Sequence, residues 1–504
     1  MSLRRAIDEP MRAQAMLLET IVRSNADCDF GRRYGFANIA SPADYAARVP
    51  VHRYADLQPA IERMLAGERD VLFVGEPIFF GRTSGTTSAP KHIPFSNQVR
   101  RSYRFFTGSM LASVEARHPG VLANGMVILG QYHEDVSPGG VTIGSASGFV
   151  RALFAEHPHV AAVPMAITEQ PNHDVRYREL LRCALARPLR CLHAINPSTL
   201  LTLFRYAAAH GEELADGLGD RAPLLRAALS GGDFAPTVMW PELEMLLSWQ
   251  GGNTSHYLAE LARMCPGVRL HATCSGSSEA ALLVPLADDH TGGVPALLST
   301  YVEYLPANAE PKPGAFVPLP ELQLGRGYRM CVTNWRGMYR LLMDDVFYVE
   351  DKLGHTPLLR FSSRLATASV TGEKVTEAQV LEAVARAQRV AGIDLVEFQV
   401  APEWGTPPRY VVMIEQHGPA TTAALRSFAA AFESALCVNN IEYAAKRCSS
   451  RLGPPVVRRL SPGDLARRLQ AAQPERSDAQ SKIPRLRSEV LEGADAYDDE
   501  IVAN

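Results

Sequence analysis

The residues best suited to do chemistry lie in one stretch, TSGTTSAPKHIP at 83–94. Hydroxyl-bearing and small residues let backbone N–H groups close around a polyphosphate, and Lys91 adds positive charge. No GK[ST] follows Gly85 at Walker spacing, so that architecture is excluded. By itself the stretch fits either a phosphate-wrapping loop or a polar surface loop. Of 51 basic residues only six are lysines (Lys91, Lys312, Lys352, Lys374, Lys446 and Lys482); the other 45 are arginines, as in a GC-rich, bacterial gene. Where arginine is the default cation, a lysine marks a place that calls for a compact ammonium. The next segment, SNQVRRSYRFFTGSMLASVEA (96–116), reads as a helix. It puts Arg100, Arg104 and Thr107 near one face and Tyr103, Phe106 and Met110 near another. That surface suits an aryl or indole carboxylate, and equally suits ordinary core packing.

Other chemistries are poorly supported. The eight cysteines (28, 183, 191, 265, 274, 331, 437 and 448) form no CxxC and have no histidine at metal spacing, so they read as reduced thiols of a cytosolic protein. His92, His133, His271 and His290 show no partners at ligand spacing and read as core or surface residues. A net charge of −3 offers no global basic field for nucleic acid or anionic membrane. No apolar run reaches the roughly 18 residues of a membrane span. The N-terminus lacks a signal-peptide core.

The elements that must position these residues alternate. With 504 residues, at about 150 per domain, two to four domains are expected. PMRAQAMLLETIVRSNA and YADLQPAIERMLAGE are amphipathic helices, the second ending at Gly67. VLFVGEPIFF (71–80) is strand-like, and further strands are predicted at 125–130, 160–167, 268–274, 296–305 and 328–333. Helices are predicted at 176–188 and 198–212. Alternation of this kind argues for an α/β core. Beyond about 360, helix TEAQVLEAVARAQRVAG, strands VEFQVAPEW and RYVVMIEQ, and helix ATTAALRSFAAAFESALC suggest a separate βαβ-like domain. The expected division is 1–363 and 364–504, the second smaller. Residues 461–484 read as a loop, and Glu489–Glu500, with six acids and no base, as a solvated end.

The phosphate-loop stretch resembles that of adenylate-forming enzymes, and its surroundings resemble the auxin-responsive acyl acid amido synthetases. PVHRYADLQP leading into TSGTTSAPKHIP is similar to that family's "PV-x-x-Y-x-D-(I/L)-x-P" and "SSGTS…K-x-(I/M)P". LSGGDF (229–234) resembles its small-residue adenosine strand, CSGSSEA (274–280) its "Y-A-S-S-E", and LLSTYVEYLP (297–306) its "Y-x-E-F-L-P". VTNWRGMYRLLMDDVFYVE (332–350) resembles "V-T-T-Y-x-G-L-Y-R-Y-R-x-G-D-V". FSSRLATASVTGEKVTEAQV (361–380) and QSKIPR (480–485) resemble the hinge and C-terminal lysine motifs.

The resemblance implies a large adenylate-forming domain with a smaller mobile one. It implies an enzyme that uses ATP and Mg²⁺ to activate a carboxylic acid as acyl-AMP, releasing pyrophosphate, and transfers the acyl group to an amino acid or other amine. A thioester-forming ligase and a catalytically dead nucleotide-binding regulator are the alternatives. The implied phosphate cradle is Ser84, Gly85, Thr86 and Thr87 with Lys91. Glu279 would hold Mg²⁺, Ser277 and Ser278 would line the α-phosphate and adenine region, and Asp345 would take the ribose hydroxyls. Arg364 would contact ribose or phosphate near the hinge, and Lys482 would reach the forming acyl-phosphate. Lys374 falls in a matched motif without a defined role. Glu279 could also cap a helix through AALLVPL. Three positions depart from the pattern: Ser275 replaces the adenine-stacking aromatic, Leu342 the second arginine, and Asp344 the glycine before Asp345. The expected partners are small-molecule acid and amine, in the cytoplasm, with no nucleic acid or membrane; the oligomeric state stays open, a monomer included.

Overall fold

The computed structural model describes residues 2–82, 91–128, 130–154, 163–170, 172–251, 254–288, 290–364, 367–368, 373, 375–403, 405, 407–448, 452–472, 483–487, 491 and 500–502. They form two compact units, one ending at Ser362 and one beginning at Ser363. No helix among the described residues is long and apolar enough to cross a membrane.

In the first unit a four-stranded parallel sheet takes its strands in chain order: Gly125–Ile128, Cys191–Ala194, Met245–Ser248 and Arg269–Ala272. The first three strands are buried at every position, as expected when both faces are covered. Helices Pro197–Ala209 and Ala222–Leu229 supply Leu200, Phe204 and Leu225 to one core beside this sheet. A mixed sheet contains the antiparallel pair Phe79–Arg82 and His92–Phe95, which flanks the predicted phosphate loop. Helix Asn97–Arg117 follows directly. An antiparallel sheet of Thr300–Pro306, Gly327–Asn334, Leu341–Leu353 and Thr356–Arg364 completes the positioning frame, with the small sheet Ser275–Gly276, Ala281–Val284 and Val294–Pro295.

The second unit holds a sheet of Leu395–Glu403, Arg409–Gln416, Val456–Arg459 and Glu500–Val502, in that order. Helix Glu377–Ala391 starts at a Thr376–Gln379 capping box and stops at left-handed Gly392, matching the sequence signals. It packs with helix Thr422–Asn439 around Val384, Val412 and Phe432.

Several expectations are corrected. Val71, Leu72 and Phe73 are buried, but the strand begins only at Phe79. The chain first closes a tight loop in which Gly75 N–H donates to the Asp70 carboxylate (2.6 Å) and Asp70 N–H to the Gly75 carbonyl (3.0 Å). Of the strand predicted at 160–167, the described part holds a helical turn, Met165–Thr168, launched by Pro164. LSGGDF is a turn after helix Ala222–Leu229, reversed at Gly232 (φ +91°), not a strand. The run after Glu279 is the strand Ala281–Val284, paired on both sides, not a helix. Within 461–484 a helix, Asp464–Ala472, forms because Leu465 is buried and its N–H meets the Glu415 carboxylate (2.6 Å). Glu500 lies in a strand beside Val456–Arg459.

Candidate active site

Glu279 sits in the turn joining Ser275–Gly276 to Ala281–Val284. Ser277 Oγ accepts from the Glu279 and Ala280 N–H groups (3.2 and 3.3 Å), which leaves its own O–H as a donor. From the other side Asn334 Nδ2 donates to the Glu279 carbonyl (2.9 Å). The Glu279 backbone is therefore held at both ends while the residue stays half-exposed, as is Ser278. No three His, Cys, Asp or Glu groups among the described residues converge as a metal cage. A Mg²⁺ ion shared between one carboxylate and substrate phosphates needs none, so Glu279 fits that use.

Asp345 and Asp344 part company. In the ladder Arg329 faces Val346 and Cys331 faces Leu342, so the second strand carries extra residues at 343–345. Such a bulge re-aims side chains. Asp345 turns in and is 5% exposed, whereas Asp344 turns out to pair with Arg53 (2.6 Å). Leu342 is also buried, packed with Leu305 and Cys331, so position 342 is core and no phosphate contact. Arg340 instead binds Glu303 through two 2.8 Å bonds and caps the carbonyls of Ala46 and Val49. The YVEYLP and RGMYR stretches are thereby one joint.

Lys91 lies with Nζ 5.0 Å from the Tyr54 ring centroid, and Tyr54 OH is bonded to both backbone groups of His92. Burial, with the Glu279 charge adding to it, pushes the Tyr54 hydroxyl up to about 12, so it stays protonated. Ser84, Gly85, Thr86, Thr87, Lys374 and Lys482 lie outside the described residues. Arg364 ends the strand Thr356–Arg364. Near Lys482, Arg485 is buried, ion-paired to Glu397, and donates to the Phe398 carbonyl (3.0 Å); the arginine of QSKIPR is an anchor.

A cavity opens beside Ser275, lined by Trp249, Gly251, Thr273, Leu283 and Phe361 among others. It lies at the carboxyl ends of Met245–Ser248 and Arg269–Ala272, where open parallel sheets bind ligands. Trp249 and Phe361 face each other at 5.3 Å. A Cβ on Gly251 would stand 3.0 Å from the indole nitrogen and 3.2 Å from Phe361. Sequence reading missed these residues, although WQGG after an apolar strand was a visible signal. It also missed His193, whose Nε2 is 2.8 Å from the hydroxyl of the cavity-lining Thr273. Burial pushes that imidazole down to about 4, so it is neutral at pH 7.

On helix Asn97–Arg117 the Tyr103, Phe106 and Met110 face is buried, and Arg100 and Arg104 are exposed. The cation against that face is Arg336, 2% exposed, 4.7 Å from the Phe95 ring and 5.0 Å from Tyr103. Each ring contact contributes about 0.5–2 kcal/mol. The effective cost of burying an ion is several kcal/mol, so the rings alone do not cover it.

Comparison with known proteins agrees with this frame. The sequence matches the GH3 family N-terminal domain over residues 1–223, the central domain over 294–364 and the C-terminal domain over 378–490. Indole-3-acetic acid-amido synthetase GH3.8 of Oryza sativa subsp. indica is 24% identical across 94% of this chain and 87% of its own. The 4-substituted benzoates-glutamate ligase GH3.12 of Arabidopsis thaliana is 23% identical across 80% and 78%. The fold superposes on the GH3.15 acyl acid amido synthetase with a TM-score of 0.87 at 19% identity, covering 99% of this chain and 96% of that one. With three successive domains of one family matched in order, the chain belongs to the GH3 family.

Proposed function

We propose that this chain is an ATP-dependent acyl acid–amine ligase. One carboxylate oxygen of the acid attacks the α-phosphorus of ATP; the bond from that phosphorus to the bridging oxygen breaks, and pyrophosphate leaves with the electron pair. An amine then attacks the acyl carbon and AMP leaves. The observation that carries the reading is the joint formed by Asn334, which ties the Glu279 turn to the strand pair whose bulge buries Asp345. Relatives are named for indole-3-acetic acid, for 4-substituted benzoates with glutamate and for a jasmonoyl group with an L-amino acid; a flat aryl or indole carboxylate is our choice for the acid and an amino acid for the amine.

Ser84, Gly85, Thr86, Thr87 and Lys91 are assigned to the phosphates, and Ser277 and Ser278 to the α-phosphate side of the nucleotide. Asp345 is assigned to the ribose hydroxyls, the Trp249–Phe361 pair to adenine in place of an aromatic at 275, and Arg364 to ribose or phosphate. Bound at Glu279, Mg²⁺ would offset charge between the phosphates. Lys482 is assigned to the charge that develops as the acid meets the α-phosphate. The smaller domain is assigned to carry Lys482.

The test is a screen of carboxylic acids for pyrophosphate release, repeated with amino acids and with coenzyme A, with products identified by mass. The expected products are pyrophosphate, AMP and an amide. ADP with phosphate would overturn adenylation, and a thioester in place of an amide would overturn the acceptor.

A further inference from the structure

We propose that Arg336 receives the carboxylate of the acid substrate, so that a flat acid is held by its charge against the Phe95–Tyr103 aromatic wall. The inference rests on the ligase reading and adds to it a residue that selects the acid.

The internal comparison is with other buried arginines. Arg340 has Glu303, Arg458 has Glu403 and Arg485 has Glu397, while Arg151 and Arg329, without a carboxylate among the described residues, each donate to a backbone carbonyl, of Val163 and Ala309. Arg336 has no ion pair among the described residues, and its Nε and one terminal nitrogen have no hydrogen-bond acceptor there. A buried guanidinium stays ionised, and one with no acceptor for its donors is best completed by an anion. The planar fork matches a carboxylate with two parallel N–H donors. Its surroundings set the remainder of the ligand. Phe95 lies 4.9 Å from Phe149, and Tyr103 lies 5.9 Å from Phe106; these rings suit an aromatic or conjugated acid.

Its location relative to the chemistry is also fixed. Arg336 N–H donates to Asn334 Oδ1 (2.9 Å), and the same Asn334 side chain donates to the Glu279 carbonyl (2.9 Å). Phe106, in turn, lies 3.5 Å from where a Cβ on Gly276 would stand. The Arg336 backbone is thus tied, through Asn334, to the turn that carries the proposed metal carboxylate.

Arg336→Met keeps the aliphatic stem and removes the charge. Benzoate and indole-3-acetate serve as probes, with benzamide and indole-3-acetamide as uncharged controls, read by thermal stability of the full chain. At least one carboxylate, and neither amide, should raise the Tm of the wild-type chain. Arg336→Met should abolish that rise, keep the Tm shift by ATP with Mg²⁺, and melt no lower than wild type without ligand. A lower Tm in the free variant would assign Arg336 to the core and overturn the proposal, as would carboxylate protection that survives in it or is absent from wild type. Arg336→Lys, which keeps the charge but not the fork, should fold and raise KM for the acid about tenfold or more with KM for ATP unchanged. Pyrophosphate release with an unmoved KM for the acid would overturn the Arg336 assignment and leave adenylation standing. Carboxylate protection lost in Arg336→Met, with no pyrophosphate release by wild type, would support the receptor and overturn the ligase reading instead.

Discussion

At the scale of the residue, two neighbouring carboxylates have opposite environments. Asp345 is 5% exposed and Asp344 pairs with Arg53 at the surface. Asp345→Ala is expected to weaken ATP binding by about 2–3 kcal/mol, the range for charge-assisted bonds, and Asp344→Ala to leave it unchanged. Calorimetric titration with ATP and 2′-deoxy-ATP checks this: loss of the 2′-hydroxyl should cost affinity in wild type and little in the variant. Equal discrimination in both would remove the ribose role. The Trp249 indole lines the cavity beside Ser275. ATP should therefore quench tryptophan emission, and Trp249→Phe should remove most of that change while binding persists. Trp249→Ala should cost about 1–3 kcal/mol of ATP affinity, the usual scale of base stacking; undiminished quenching in Trp249→Phe would place adenine elsewhere.

At the scale of the element, the antiparallel sheet is organised around one strained residue. Arg340 has φ +46° and holds Glu303 with both carboxylate oxygens. Left-handed backbone is costly for arginine and persists only where the surroundings over-determine it; here they are Glu303 and two backbone carbonyls. Glu303→Ala leaves a buried cation unpaired and should cost about 3–5 kcal/mol. The double variant Glu303→Ala/Arg340→Ala should lose less than the sum of the singles. Urea denaturation of the four proteins checks both numbers, and additive losses would mean the pair is not coupled. Helix ends were legible because caps are local: Thr376 and Gly392 bound Glu377–Ala391 in sequence as in space. The helix Asp464–Ala472 was not legible, because Leu465 and Leu469 are its only large apolar side chains and its partner Glu415 lies 50 residues before Leu465.

At the scale of the whole molecule, a half-buried carboxyl and a buried imidazole in the first unit oppose each other in pH dependence. Burial raises the Glu134 carboxyl from 4.5 to about 7 despite Arg82 nearby, so the folded chain holds a proton that the unfolded chain releases. Stability from that group falls as pH rises through this window. Burial lowers the His193 imidazole from 6.5 to about 4, so the unfolded chain binds the extra proton. Stability from that group rises with pH over nearly the same window. Each displacement is worth about 3 kcal/mol at most, and the two slopes cancel. Glu134→Gln should therefore unmask a stability that climbs from pH 4.5 to 6.5, and His193→Gln one that declines. Thermal melts across that range check the signs; parallel curves for wild type and both variants would refute the opposition.

The sequence by itself determined the α/β class, the helices with clear caps, and the order of the motifs that carry family membership. These are encoded in local spacing, which survives without knowledge of neighbours. It also named Glu279 and Asp345, since each sits inside a recognisable run. Tertiary structure alone decided that Leu342 is core, that Arg340 and Glu303 form one joint, and that a ladder bulge turns Asp345 inward. It alone showed Trp249 beside Ser275 and Arg336 buried against Phe95 and Tyr103. In a sequence with 45 arginines no single one stands out. Burial and the identity of the facing atoms separate an ion-paired arginine from one with no carboxylate beside it, and both depend on segments distant in the sequence.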